Sequence, residues 1–183
     1  MVAMIFGLLM LASCLPVPLG DPEKSQIESK LSGFWIESAD ANSGNIYIIA
    51  PFDSHCYVVQ AVQFTKKEDR FETKSSAWRA WLTDIKGTRF ITLQSVAHMA
   101  DPKYPGDKFY PIAKIEIAPD MLTTKALDAN YPKFNGVKDS GKLAEIVQAN
   151  LDDPKMYVEP ATVLRRMDAN NEADANLMKL AVP

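Results

Sequence analysis

Leu31-Ser32-Gly33-Phe34-Trp35-Ile36-Glu37-Ser38 is a short extended run, opened by a glycine and carrying an indole two residues later. The chain that follows repeats runs of this kind. Residues 40–45 (DANSGN) are a turn of residue types that tolerate positive φ. Residues 46–50 (IYIIA) make a second strand, stopped by Pro51, and residues 55–64 (HCYVVQAVQF) a third. Residues 65–74 are polar and charged, as the tip of a hairpin is. Residues 77–85 and 89–96 are a fourth and a fifth strand, joined through Lys86-Gly87-Thr88. After a Pro- and Gly-containing loop, residues 97–108, strand character returns in residues 109–118. There Ala113, Ile115 and Ile117 fall on one face and Lys114 and Glu116 on the other, the two-residue period of a half-buried strand. Residues 121–127 and 162–167 complete the set. Short strands with frequent turn signals predict a sandwich or a barrel.

One segment reads as a helix. Asp139 or Ser140 can cap residues 140–151, where Leu143, Ile146, Val147 and Leu151 recur at helical spacing. Residues 168–183 read as a polar tail ending in a short helical turn. The expectation is a mainly β chain: an antiparallel barrel of about eight strands over residues 28–167, with helix 140–151 packed on it.

Composition narrows the function. Of 183 residues, 47% are hydrophobic and 23% charged, an ordinary globular mixture that excludes long disorder and fibres. A domain of this size buries roughly two-thirds of its unfolded surface and needs no disulfide framework. A net charge of −3 argues against nucleic-acid binding through bulk charge.

The N-terminus gives an address. Residues 1–13 (MVAMIFGLLMLAS) are uncharged, and no charged side chain comes before Asp21. The apolar run is shorter than the ~20 residues of a membrane-crossing helix and has the length of a signal-peptide core. Leu11-Ala12-Ser13-Cys14 resembles the bacterial lipobox, which implies a signal peptide over 1–13 and an acylated Cys14. An N-acyl and a diacylglyceryl group together anchor stably. Residues 14–27, opening with the stiff, uncharged LPVPLG, then read as a tether. Leu15 after the cysteine, where an Asp would retain the protein at the inner membrane, implies the outer membrane, facing the periplasm. The n-region lacks Lys and Arg. Two alternatives stay open: cleavage near Gly20-Asp21, and a buried N-terminal element in which Cys14 is a small hydrophobe.

Gly33-x-Trp35, behind the polar lead-in of residues 25–30, resembles the opening of lipocalin-like, calycin-type barrels. The resemblance implies that Trp35 plugs one end of the barrel and that an arginine near the last strand covers it. Arg165 and Arg166 are the candidates, and strand alternation lets only one face inward. The wider pattern, Leu31-x-Gly33-x-Trp35 with a late helix, is also similar to uncharacterised bacterial lipoproteins.

Catalytic chemistry is not visible. His55 and His98 lie far apart and in no metal-ligand spacing. Cys56 beside His55 makes a poor dyad, because adjacent strand residues face opposite ways. Asp40-x-Asn42-x-Gly44 starts like a calcium loop, but Pro51 stands where the bidentate Glu belongs. The sequence indicates no cofactor and no metal. Cys56 reads as a buried small hydrophobe.

The aromatic residues are the remaining candidates for ligand or partner contacts: Tyr57, Trp78, Trp81, Tyr104 and Tyr110. Trp78 shares a face with Ala80 and Leu82, and Trp81 lies on the other, packed under the helix or facing a partner. Tyr104, Phe109 and Tyr110 are placed to form a lid. The interior candidates Trp35, Ile46, Ile48, Tyr57, Val59, Trp78, Leu82, Ile115 and Ile117 are bulky, which favours a nearly filled barrel. The functional expectation is a lipid-anchored, non-catalytic module that binds a small apolar ligand or another envelope protein. The alternative is a structural lipoprotein with a filled barrel.

Overall fold

The computed structural model describes residues 14–40, 42–68, 70–100 and 109–181. The expected signal peptide and Tyr104 lie outside the described residues. A two-residue strand, β1 (Cys14–Leu15), pairs with the start of β7. The barrel itself is an antiparallel meander of β2 (Gly33–Asp40), β3 (Ser43–Pro51), β4 (Tyr57–Lys67), β5 (Arg70–Ile85), β6 (Thr88–Ser95), β7 (Tyr110–Ile117), β8 (Met121–Ala126) and β9 (Thr162–Arg166). Strand β9 pairs with both β8 and β2 and closes the cylinder. Closure satisfies the edge hydrogen bonds that an open sheet would expose. The eight-stranded antiparallel barrel expected from the strand pattern is therefore what the chain forms.

The barrel wall has three apolar faces to bury. Its interior holds Trp35, Tyr47, Ile49, Tyr57, Val59 and Leu82, among others. Its outer surface carries two further clusters, each under a helix. The five-residue α1 (Val96–Ala100) follows β6. Helix α2 (Ser140–Ala149), capped by Asp139 Oδ1 accepting from Lys142 N at 2.8 Å, brings Leu143 and Val147 onto Phe90, Ile112 and Leu127. Helix α3 (Glu172–Ala181) covers Ile36, Ile46, Val62 and Phe64 with Leu177, Met178, Leu180 and Ala181.

Two expectations are corrected here. Ile46 and Ile48 point outward, and Tyr47 and Ile49 line the interior. Residues 46–49 are apolar throughout because both sides of β3 are buried, so alternation could not give the phase. The polar tail is in fact the ten-residue helix α3. Its inward stripe is Asp174, Leu177, Met178 and Ala181, at i, i+3, i+4 and i+7, with Asp174 and Ala181 buried and the two between them partly so, and an aspartate at the head of the stripe hid it.

Asp174 is buried because Arg165 on β9 meets it with both guanidinium ends, Nη1 and Nη2 each donating at 2.7 Å. The backbone N–H of Asp168 donates to it at 2.8 Å. The Arg165 hydrogen bonds hold the Asp174 carboxyl below the usual carboxylate range. A folded-state value below the unfolded one stabilises the fold at neutral pH. That contribution fades as pH falls below about 4, through the depressed folded value. Arg165 is half exposed, so solvent screens part of the interaction. Asp174→Asn is expected to lower stability by about 1–2 kcal/mol at pH 7. As pH falls below about 4 the difference should shrink, because Asp174 becomes protonated and loses the ion pair. Urea midpoints at pH 7 and pH 3 check both statements, and equal losses at the two pH values would refute the linkage.

Residues 14–27, read above as a tether, lie against the barrel. Leu15 and Leu19 are buried in the α2-side cluster. The Leu19 carbonyl accepts from Trp81 Nε1 at 3.0 Å, Thr83 Oγ1 at 3.1 Å and Thr92 Oγ1 at 3.0 Å. Gly20 follows with φ 75°, where a Cβ would fall 2.1 Å from Thr83 Oγ1. Further along, Ser25 Oγ accepts from Leu82 N at 2.9 Å. Trp81 is buried outside the barrel. The indole's hydrogen bond goes to this segment, where the sequence had suggested cover from the helix. Tyr110 meets it edge-on at 6.3 Å.

Candidate functional site: the barrel interior

One end of the cylinder is stoppered. Trp35 is fully buried and donates from Nε1 to Leu31 O at 2.8 Å. The Arg166 guanidinium carbon lies 4.1 Å from the centre of the indole ring. Its nitrogens donate to Pro119 O at 2.9 Å, to Ser32 O at 2.8 Å and to Lys30 O. Arg166 thus ties the lead-in, the β7–β8 turn and the plug together, and the neighbouring Arg165 turns away to Asp174. Gly33 has φ 133°, and a Cβ there would sit 2.6 Å from Arg166 Nη1. The glycine two residues before the indole is the space that the arginine occupies. Tyr57 reinforces the same end: its hydroxyl donates to Glu28 O at 3.1 Å and accepts from Glu28 N.

Above the plug the barrel holds a cavity of about 130 Å³. Leu31 floors it, Ile49, Val59 and Trp78 line one wall, and Ala113 and Ala126 the other. Those two alanines face each other across β7 and β8. The bulky interior expected from the sequence is not reached for two reasons. Ile46 and Ile48 place their volume outside, and an alanine pair stands where larger side chains would fill the space. The wall is almost wholly apolar, with hydroxyls from Tyr47, Thr124 and Thr162.

A polar rung lies toward the other end. Register aligns Glu37 with Asn45, Asn45 with Gln63 and Gln63 with Lys74. Glu37 follows Trp35 on the inward face. Its carboxylate accepts from Asn45 Nδ2 at 3.2 Å, and Tyr47, opposite Trp35, is its diagonal neighbour on the same face of β2 and β3. Burial pushes the Glu37 carboxyl above its usual range, and the Tyr47 phenol upward as well. The sequence reading missed Glu37, Asn45 and Tyr47. The signal was present: Glu37 is one period of two beyond Trp35.

The remaining candidates separate. Trp78 lines the cavity, whereas Tyr57 belongs to the closed end and Trp81 and Tyr110 to the outer surface. The Cys14 backbone pairs with Pro111, itself a cavity residue. Cys56 is buried and unbridged, with Arg79 Nε donating to its sulfur at 3.2 Å; burial pushes the thiol pKa up. Among the described residues there is no cluster of three or more His, Cys, Asp or Glu side chains suited to a metal. No described helix is long and apolar enough to cross a membrane. Comparison with protein-family models, curated proteins and solved structures finds no match to this chain.

Proposed function

We propose that this protein is a lipid-anchored envelope module whose lipocalin-like barrel binds a small apolar ligand, tethered at the outer membrane through an acylated Cys14. The observation that carries the ligand reading is the apolar cavity of about 130 Å³. An apolar cavity of about 150 Å³ stays dry and takes up benzene, so this one suits a body of roughly six carbons. The anchor reading rests on the lipobox-like Leu11-Ala12-Ser13-Cys14. It is supported by placement. Cys14 pairs beside the cavity residue Pro111, and exposed Val96, Met99 and Phe109 flank the β6–β7 connection near it.

Benzene at a hundred times its dissociation constant should stabilise the wild type by about 2.7 kcal/mol. Ala113→Leu, which fills the void, should fold as well as the wild type and lose that response. Thermal melts with and without benzene check this, and an unresponsive wild type would return the barrel to a structural role. Radiolabelled palmitate should mark the full chain and not Cys14→Ala; equal labelling removes the anchor.

A protein partner is the second reading, favoured by β5. Its residues 70–77 are exposed and run beyond the point where β6 stops pairing at Trp78.

A further inference from the structure

We infer that the barrel site is amphipathic, and that it selects an apolar body of about six carbons carrying a hydrogen-bond-donating, preferentially cationic head received by Glu37. The inference rests on the ligand reading above and adds the class of head group. Tyr47 joins the two halves of the site, since it lines the cavity and is the diagonal neighbour of Glu37 in the register of β2 and β3. Glu37 stands one neighbour beyond the cavity lining, so it is the head of a ligand projecting past Tyr47 that would meet this carboxylate. An ionised carboxylate accepts at about four lone-pair positions and donates at none. Asn45 occupies one of these with one of its two amide N–H groups. A carboxylate offers further acceptor positions and no proton, so the head group it receives best is a donor. An ammonium or hydroxyl head satisfies it, and a carboxylate head meets a like charge in a half-desolvated place.

Lys74 closes the same rung with the opposite charge and does not reverse this preference. It lies three strands along from Glu37, about 14 Å at the usual inter-strand spacing. That spacing follows the backbone around the wall; the effect of Lys74 is weakened by its exposure, which lets water and salt screen its charge.

Three probes with a common tail test the head group: hexylamine, 1-hexanol and hexanoate, titrated calorimetrically into the purified full chain at pH 7. Hexylamine is expected to bind at least tenfold more tightly than hexanoate, with 1-hexanol between them. In Glu37→Gln the amine should weaken at least tenfold, 1-hexanol should change less than threefold and hexanoate should strengthen. The ranking is read first on the unsubstituted protein, so a Glu37→Gln chain that fails to fold does not remove the test. Equal affinities, or hexanoate as the best ligand, would overturn the head-group inference while leaving the cavity in place. Failure of all three probes together with benzene would instead bring down the ligand reading itself.

Discussion

Trp35→Ala is expected to lower the stability of the protein by about 3–5 kcal/mol in urea titrations. The indole has no exposed surface, and its removal opens a void against Leu31 at the floor of an existing cavity. The truncation also frees the Leu31 carbonyl from its donor and takes the ring from beneath Arg166. The guanidinium–indole contact alone contributes about 0.5–2 kcal/mol. A double-mutant cycle with Arg166→Met should therefore return a coupling energy of that size. Gly33→Ala reaches the same contact from a third side. Its Cβ displaces a guanidinium held by three backbone carbonyls, at a φ that disfavours side chains, which costs about 1–3 kcal/mol. A loss below about 1 kcal/mol for Trp35→Ala would mean that the closed end does not depend on its plug.

Those three residues also show what a sequence can carry. Gly33-x-Trp35 and a late arginine are legible because each is a rare residue type in a fixed relation to a strand. The choice between Arg165 and Arg166 is not legible. Both neighbours have work on opposite faces of β9, one on the indole and one on Asp174. Period-two reading succeeds on β7, where lysine and glutamate mark the outer face. It fails on β3, where a helix from the far end of the chain buries the outer face too. That helix was hidden by Asp174, a charged residue whose burial makes sense only once Arg165 is placed beside it. The cavity is illegible for a related reason. Its volume depends on which way Ile46 and Ile48 point and on the pairing of Ala113 with Ala126, and neither is a property of local sequence. Glu37 was accessible to the alternation rule, but a lone acid on a strand reads as solvated until Tyr47 and Asn45 are seen around it.

Removal of residues 14–20 should cost more than any single substitution. Leu15 and Leu19 are buried, and loss of a buried leucine side chain typically costs about 2–5 kcal/mol. The Leu19 carbonyl is the acceptor for an indole and two hydroxyls, and Thr92 is itself fully buried. A chain starting at Asp21 is therefore expected to lose at least about 5 kcal/mol, comparable with the whole stability of many domains. A chain starting at Cys14 keeps every one of these contacts. Thermal melts of the two forms, with Leu19→Ala as an intermediate of about 2–5 kcal/mol, measure the difference. Emission from Trp81 should shift to the red as its cover is lost. A chain from Asp21 that melts within a few degrees of the longer one would show that the N-terminal segment is dispensable to the barrel. The comparison also bears on processing. Cleavage near Gly20-Asp21 would release the weakened form, whereas cleavage before Cys14, with the acylation proposed above, would leave the lipid directly beside the first buried leucine. In that proposed form the barrel would have no slack between itself and the bilayer, because the prolines of residues 15–20 lead into packed structure and not away from it.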